Sequence, residues 1–526
     1  MKRDSSSPWA HRPGEQSVVV AERLEGVDLD CFFGPVRVEW DQEATMTPLG
    51  QLPFFIHFLK TAGLFDAFVA DCPLRYLSPN APGKRDVLGT AMLSMLAGHR
   101  RYAHIAALRC DAVLPDLLGM KKIVSEDAIR RAFKAVDETE GAVWLRRHLQ
   151  DCVEPLLSEP WILDVDTTIK PLYGHQEGAV LGYNPKKPGR PSHCYHTYSM
   201  ASTRLILDVD VSPGDEHASR HSAPSLWGLL DRLPRDLWPA LLRGDRGFGN
   251  EEIMREAEAR ALPFLLKLRL TANVKRMIEK LALSREWVDA GQGFEAKESE
   301  VRLVGWSRQR RVIVLRRRLK DAVGLRVNDD GGPPQLAFAE IGEATEIYEY
   351  SVLVTSLDED VEAFGQLYRD RGDGENIFDE MKNQWGWGGY TTHDLARCRL
   401  AARLLALFYN WWNIFVRLAD PSLHREAITS RPLFLTAIAT RTRHARQTTI
   451  RVTSSHAKAE PAAQALAAVA AFLRGLAKNA EQLTRLQTWR AILSRLPGLP
   501  QRTPPPRPAP PRPNLMQPKR EISLTE

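Results

Sequence analysis

Residues 161–169 read WILDVDTTI, an apolar and β-branched run broken only by two aspartates and two threonines. A run of this kind predicts a buried strand. Residues 195–202 (YHTYSMAS) and 204–212 (RLILDVDVS) predict two more strands. A helical pattern over residues 250–262 leads into a further strand at residues 263–270 (PFLLKLRL). Strands that alternate with helices in this order predict an α/β sheet.

The rest of the chain divides around this sheet by composition and periodicity. We predict seven segments: an irregular N-terminal arm with a strand or two near SVVVAERL (1–45), a helical domain that binds DNA (46–155), the first part of the α/β core (156–290), a β-rich insertion (291–357), the second part of the core on a helix that carries a glutamate (358–420), a helical C-terminal region (421–498) and a disordered tail rich in Pro and Arg (499–526).

The helical domain over residues 46–155 has two interpretations. Ser125 is a candidate N-cap for its last helix, which carries Arg130, Arg131 and Lys134. Short helices joined by tight turns are typical of a helix-turn-helix DNA reader. They are equally typical of a helical packing domain, so both interpretations stay open.

Composition excludes several classes of protein. Hydrophobic residues make up 44% and charged residues 26% of the 526 residues, the balance of a globular protein. Because no run approaches eighteen apolar residues, we expect no membrane span. The polar N-terminus predicts no secretory signal. Six cysteines without a CxxC pair predict reduced thiols rather than a disulfide scaffold or a zinc site.

Positive charge is clustered rather than abundant. The chain has 71 Lys and Arg against 65 Asp and Glu, a net charge of +6. Residues 301–320 contain eight basic residues and no acidic one, and residues 425–451 contain six arginines and one glutamate. Such clusters create the local potential that attracts a phosphate backbone. A solvated basic face is the alternative for each cluster.

Four polar residues recur at helical spacing near residue 370. Tyr368, Arg371, Glu375 and Lys382 would lie within a stripe about 60° wide on one continuous helix. Polar residues aligned in this way also occur on an ordinary solvated face. The two glycines between Arg371 and Glu375 count against a regular helix.

Three aspartates could face that stripe. Asp164 and Asp166 alternate along one predicted strand and so share a face. A carboxylate inside an apolar strand is costly unless it meets a cation, which favours a metal site. Asp245 follows another predicted strand and precedes glycines that allow a ligand to approach the backbone. A turn or capping role is the alternative for Asp245.

In this order, Asp166, Asp245 and the set Tyr-x2-Arg-x3-Glu-x6-Lys resemble the DDE transposases of bacterial insertion sequences, in the subgroup that bears this signature. Residues 174–190 (GHQEGAVLGYNPKKPGR) and 409–415 (YNWWNIF) also resemble that group. The resemblance covers about residues 50–450. Asp166 fits the first acid better than Asp164, and that choice is provisional.

The resemblance implies a ribonuclease H-like core with a β-strand insertion between the second aspartate and the glutamate. It implies two Mg²⁺ or Mn²⁺ ions held by Asp166, Asp245 and Glu375, the oxygen donors that hard cations require. The reaction would cleave DNA at the element ends and join the 3′-OH to target DNA. The implied partners are double-stranded DNA and, on DNA, a second copy of the chain, with no membrane. The implied location is the cytoplasm of a bacterium, at the nucleoid.

Further residues are candidates for contact with DNA. Those implied by the resemblance to touch phosphates near the cut are Tyr368, Arg371 and Lys382. Those of the basic run are Arg308, Arg310 and Arg311, and Trp306 is a candidate for stacking on a flipped base. An ordinary core tryptophan is the alternative for Trp306. We place His193 and His196 outside the site.

Three other functions remain open. The chain could be a catalytically silent DNA-binding relative, or a ribonuclease H-like nuclease that never joins strands. It could also be a hydrolase that uses paired carboxylates on a glycoside. The basic clusters argue against the glycoside hydrolase, because a neutral sugar gains little from them.

Overall fold

A computed structural model of the chain describes residues 26–496 except 33, 42–43, 77, 185–186, 217, 285, 319–337, 340–346, 388, 391, 446, 455–457 and 479–482. For residues 218–221, 338–339, 347 and 372–375 the description covers the backbone alone. The predicted strand around SVVVAERL and the predicted tail from residue 499 lie outside the described residues.

The strands are two to ten residues long. In chain order they are β1 (Val27–Cys31), β2 (Gly34–Val38), β3 (Met46–Thr47), β4 (Ile162–Pro171), β5 (Val180–Leu181), β6 (Pro191–Met200), β7 (Leu205–Pro213), β8 (Leu241–Gly244), β9 (Phe264–Lys267), β10 (Val288–Asp289), β11 (Phe294–Val301), β12 (Arg310–Arg318), β13 (Phe338–Ala339), β14 (Ile347–Thr355), β15 (Ala439–His444) and β16 (Gln447–Val452).

Helices precede, interrupt and follow the main run of strands. They are α1 (Leu52–Thr61), α2 (Leu64–Asp71), α3 (Lys84–Leu96), α4 (Leu114–Leu117), α5 (Glu126–Ala135), α6 (Glu138–Val153), α7 (Ala218–Asp231), α8 (Glu251–Ala259), α9 (Ala272–Ala282), α10 (Val361–Arg369), α11 (Gly372–Asn383), α12 (Leu395–Ala419), α13 (Ala427–Phe434), α14 (Ala459–Lys478) and α15 (Arg485–Leu493). Short 3₁₀ segments lie at Tyr102–Cys110, Glu154–Leu156 and Arg235–Leu237.

One large mixed sheet organises the middle of the chain. Within the described residues it has eleven strands in the order β10-β11-β12-β14-β9-β8-β4-β6-β5, with β7 also on β6 and β13 also on β14. β4 is antiparallel to β6 and parallel to β8, and β8 is parallel to β9. The predicted α/β class is therefore confirmed as a mixed α/β fold.

A long buried helix covers one side of this sheet. α12 packs against β7 and α6, and nearly every side chain of its middle turns is buried. Its buried Asn410 is satisfied by the sheet, because the Asn410 amide donates to the Ile206 carbonyl (2.7 Å) and accepts from the Ile206 N–H (2.9 Å). The apolar run at residues 404–416 (LLALFYNWWNIFV), broken by Asn410 and Asn413, predicts a buried helix from the sequence, and the structure confirms it.

Buried ion pairs connect α6, α12 and the end of α7 to β7. The Asp208 carboxylate is fully buried and pairs with Arg146 of α6 (2.7 Å), Arg232 at the end of α7 (3.1 Å) and Arg403 of α12 (3.1 Å). A buried carboxylate is stable only when it is paired in this way. The second LDVD sequence of the chain, around Asp208, therefore has a structural role.

Two predicted segments contain structure that the sequence did not indicate. The strands of the β-rich insertion continue the main sheet, because β14 pairs with β9. The C-terminal region, predicted to be helical, also contains the hairpin β15–β16, which pairs with β3. The predicted N-cap at Ser125 is confirmed, since its hydroxyl accepts the Ala128 N–H (3.2 Å). All six cysteines are free thiols.

None of the described helices is long and apolar enough by itself to span a membrane. Taken together, α1 and α2 have the necessary length and composition, but they are bent by 70° relative to each other.

Candidate active site

Two aspartates lie side by side where two parallel strands of the sheet adjoin. β4 and β8 are paired up to Val165 and Gly244, so Asp166 and Asp245 are the next residues on each strand path. A side chain at Gly244 would approach Val165 to 2.9 Å, so the close pairing requires glycine there. Asp166 accepts the Thr167 N–H (2.7 Å) and Asp245 accepts the Gly247 N–H (2.8 Å).

Asp164, two residues earlier, is used differently. Both of its oxygens accept from the Arg243 guanidinium, at 2.6 and 2.7 Å. Arg243 also donates to the Leu367 carbonyl at 2.5 Å. Asp164 is 4% exposed and Arg243 is fully buried. This bidentate pair joins β4, β8 and α10, and it occupies the carboxylate of Asp164.

Arg371 lies at the junction of two helices and pairs with Asp166. Residues 368–382 do not form one continuous helix, as the two glycines in the sequence indicated: α10 ends at Arg369 and α11 begins at Gly372. Arg371 precedes α11, and its guanidinium forms a buried ion pair with the Asp166 carboxylate. Burial alone would lower the pKa of Arg371, but Asp166, Tyr368 and Asp245 raise it above its usual range. The Arg371 guanidinium therefore interacts electrostatically with both Asp166 and Asp245.

Tyr368 and Lys267 complete the described part of this cluster. Burial raises the pKa of Tyr368 to about 12. Its ring lies 5.7 Å from the Lys267 ammonium at the end of β9. Burial, reinforced by Arg246 and Arg371, lowers the pKa of Lys267 to about 8. Sequence reasoning missed Lys267, although a single lysine inside the apolar run FLLKL is the signal that could have identified it.

Glu375 and Lys382 lie on α11. Glu375 falls in the first turn, and its side chain lies outside the described residues. Its neighbours along the chain, Arg371 on one side and Ile377 on the other, line the same cleft as Asp166. Lys382 lies in the last turn of α11 and is half-buried.

Several side chains of this cleft carry oxygen atoms, the type of ligand that a hard divalent cation prefers. Asp164, Asp166, Thr197 and Ser199, whose side chains carry oxygen atoms, line it, and Mg²⁺ and Mn²⁺ prefer oxygen ligands. Among the described side chains, no three His, Cys, Asp or Glu residues are arranged to hold a metal. The Arg371 guanidinium instead neutralises Asp166. A metal that binds Asp166 would compete with that guanidinium.

The predicted contacts of the basic run lie elsewhere in the sheet. β12 is separated from β4 by β14, β9 and β8. Trp306 is 7% exposed, and the Arg310 guanidinium lies 5.2 Å from its ring centroid. In this conformation the Trp306 ring is packed in the core and is not open to a flipped base.

The arginines of that run form ion pairs with carboxylates of the same protein. The Arg310 side chain is 1% exposed and pairs with Glu251 and Glu258. Arg308 also pairs with Glu258 (2.8 Å), and Arg311 pairs with Glu298 (2.8 Å). The potential of this cluster at the surface is therefore smaller than the sequence suggests, because acidic partners from other elements offset it.

The two histidines set aside in the sequence have structural partners. The Nε2 atom of His193 lies 2.8 Å from the Glu177 carbonyl oxygen. The His196 ring is held between the hydroxyls of Thr167 (2.8 Å) and Ser212 (2.9 Å). Both rings are buried in β6.

Comparison with known proteins gives a family and similar solved structures. A cryo-EM structure of the piggyBac transposase synaptic complex with hairpin DNA is similar at a TM-score of 0.37 and 13% identity, over 86% of each chain. No curated protein sequence matches the chain. The family described as "Transposase DDE domain group 1" matches residues 81–474. The resemblance to DDE transposases is thereby confirmed at the level of the family, and the chain belongs to the group 1 family of transposase DDE domains.

Proposed function

We propose that this transposase binds the ends of an insertion sequence, cleaves phosphodiester bonds there and joins the 3′-OH ends to target DNA. Asp166, Asp245 and Glu375 are the proposed catalytic acids, and two copies of the chain act on paired ends. The observation that carries the proposal is the register of β4 and β8, which brings Asp166 beside Asp245. In addition, Arg371, which precedes the helix of Glu375, interacts electrostatically with both carboxylates.

A ribonuclease H-like core is part of the proposal. Its support is the order of five strands, in which β4, β6 and β7 form an antiparallel meander and β8 and β9 run parallel to β4. The proposed acids come from the middle of this group and from the helix α11, which packs against β4. Strand ends in α/β sheets are a usual place for ligands.

Asp166 is the better choice for the first acid. Both oxygens of Asp164 are held by Arg243, so a metal could bind Asp164 only by breaking a buried bidentate pair. The Arg371 guanidinium donates to one oxygen of Asp166 and the Thr167 N–H donates to the other. This ion pair is therefore not the bidentate pair seen at Asp164. This difference supports the assignment that the sequence left provisional.

Divalent ions are the cofactor of the proposal, as is general for DDE transposases. Asp166, Asp245 and Glu375 would hold two ions, which activate the attacking oxygen and stabilise the leaving one. Their carboxylates concentrate negative charge beside an anionic substrate. The residues therefore need cations before a phosphodiester can approach, and Arg371 supplies one of them.

The cationic side chains around the acids are the proposed phosphate contacts. The Arg371 fork can donate two parallel hydrogen bonds to a phosphate, whereas Lys267 and Lys382 act as point charges. The Tyr368 hydroxyl can donate one hydrogen bond, because a tyrosine phenol is protonated at neutral pH and burial raises its pKa further, to about 12. These four side chains bind and orient the DNA strand in the proposal.

Arg371→Met should strengthen Mn²⁺ binding by about tenfold or more. A unit charge at about 4 Å contributes about 4 kcal/mol at an effective dielectric constant of about 20, and the variant removes that competing charge. Mn²⁺ affinity measured by electron paramagnetic resonance, without DNA, checks the prediction. Arg369→Met is the matched control, because Arg369 donates to the carbonyls of Ala290 and Gly291. Unchanged Mn²⁺ affinity in Arg371→Met would show that the guanidinium does not compete with the metal.

Cleavage of DNA that carries the element ends tests the function itself. Short inverted repeats that flank the coding region supply the substrate. We expect Mg²⁺-dependent strand breaks at the repeats, 3′-OH products and joined target molecules, none of them in EDTA. Breaks without joining would favour the nuclease. Binding without breaks would favour the catalytically silent relative.

A further inference from the structure

The hairpin β15–β16 is a basic ribbon that the proposed active site does not use. Residues 439–454 contain arginines and no Asp or Glu. The strands pair antiparallel along their whole length, from Ala439 opposite Val452 to His444 opposite Gln447. Most residues of this hairpin beyond Arg441 are exposed, except that Ile450 and Val452 are half-buried. We name β15 and β16 together the ribbon.

The inner face of the ribbon is anchored to the helical N-terminal region. Arg441 forms an ion pair with Asp116 of α4 and donates to the Ala112 carbonyl (3.2 Å). Arg443 pairs with the same Asp116 carboxylate at 2.8 Å. Ile450, opposite Arg441, is half-buried. These contacts fix which face of the ribbon points away from the protein.

The outer face consists of hydrogen-bonding side chains. Because side chains alternate along a strand, the residues two apart from each other share this face. They are Thr440, Thr442, His444, Gln447, Thr449 and Arg451. All except the half-buried Thr440 are exposed. The outer face thus carries one full positive charge, several donors and acceptors, and two threonine methyl groups at its centre.

We propose that the outer face of the ribbon reads the sequence of double-stranded DNA in the major groove. That groove is about 12 Å wide and admits a two-stranded β-ribbon. Arg pairs with guanine, Gln with adenine, and a Thr methyl group contacts the methyl group of thymine. The absence of acidic residues from the sequence of the ribbon avoids repulsion by phosphates.

Other partners fit this face less well. A protein interface has an apolar, often aromatic centre, and the centre of this face is Thr442 beside Thr449. Single-stranded nucleic acid is held by stacking on aromatic side chains. The major groove of an RNA duplex is too narrow for side chains to read. Duplex DNA is the partner that matches both the shape and the chemistry of the ribbon.

The inference rests on the proposed function in one respect: if the protein is a transposase of this kind, the DNA that the ribbon reads is the element end or the target. Its test is independent of cleavage. Wild-type protein in EDTA selects duplexes from a DNA pool with a randomised centre. Affinities for the selected duplex and for the unselected pool then give a specificity ratio.

The triple variant Thr442→Ala, Gln447→Ala, Thr449→Ala should lower this ratio by about tenfold or more. Affinity for the unselected pool should change little, because phosphate contacts supply non-specific binding. The double variant Thr139→Ala, Gln464→Ala alters exposed residues of the same types on α6 and α14 and should keep the wild-type ratio. Far-ultraviolet circular dichroism verifies that the variants fold.

Three results would overturn the inference: a wild-type ratio in the triple variant, no enriched sequence with wild-type protein, or equal competition by an RNA duplex. The failures of the two proposals are distinguishable. A protein whose ribbon reads DNA but which never cleaves refutes the proposed function alone. A protein that cleaves element ends with an unaltered ratio in the triple variant refutes the ribbon alone.

Discussion

Asp245→Asn should lower Mg²⁺-dependent DNA cleavage by at least about 10³-fold while DNA binding persists. The substitution keeps the shape of the side chain and removes the negative charge that would hold a metal. Loss of metal-based stabilisation is worth several kcal/mol, and about 4 kcal/mol corresponds to 10³ in rate. Asp166→Asn and Glu375→Gln should behave alike, because the three acids act on the same step.

Single-turnover cleavage of end-containing DNA and a binding titration in EDTA measure the two effects separately. Asp231→Asn is the matched control, since Asp231 pairs with Arg260 at the surface, at the end of α7, and should cleave at the wild-type rate. Wild-type cleavage by Asp245→Asn would remove Asp245 from the proposed site. Loss of binding together with cleavage would point to a structural role instead.

Asp164→Ala should destabilise the protein by about 3–5 kcal/mol, the usual cost of leaving one buried partner uncompensated. The Arg243 guanidinium would lose both of its 2.6 and 2.7 Å acceptor contacts to Asp164 in a place without solvent. Urea unfolding measures the change. The expected loss of activity in this variant follows from folding rather than from loss of a metal ligand.

The double variant Asp164→Leu, Arg243→Met tests whether the cost of Asp164→Ala comes from leaving the buried Arg243 unpaired. Replacing both partners of a buried pair with apolar groups is often close to neutral, so the double variant should be more stable than Asp164→Ala alone. A cost below about 1 kcal/mol for Asp164→Ala would contradict a buried ion pair. Strictly additive single effects would contradict direct coupling of Asp164 and Arg243.

The strands and the buried helix could be predicted from the sequence, because each depends on local alternation or on an unbroken apolar run. The strand at 161–169 and the helix at Asn410 are examples. The membership of the insertion strands in the main sheet could not be predicted. That membership depends on the pairing of β14 with β9, a long-range register that local composition does not encode.

The sequence indicates which residues are candidates for the site more completely than it indicates the contacts between them. Spacing and strand alternation indicated Asp164, Asp166, Asp245 and Arg371 as candidates, and the resemblance to DDE transposases favoured Asp166 and Asp245 as acids. The pairing of Arg371 with Asp166 joins residues 205 positions apart, so no local pattern reveals it. The same holds for Arg310, which appeared to be a free cation in the sequence and is matched by two glutamates of α8.

A crystal of the protein with end DNA and Mn²⁺, measured at the manganese absorption edge, would locate the metal ions relative to the three acids. We expect two anomalous peaks about 3.5–4 Å apart, in contact with carboxylate oxygens of Asp166, Asp245 and Glu375, with the Arg371 guanidinium moved from Asp166 to a phosphate. Manganese bound elsewhere, with Arg371 still paired to Asp166 and DNA in place, would contradict the proposed metal site.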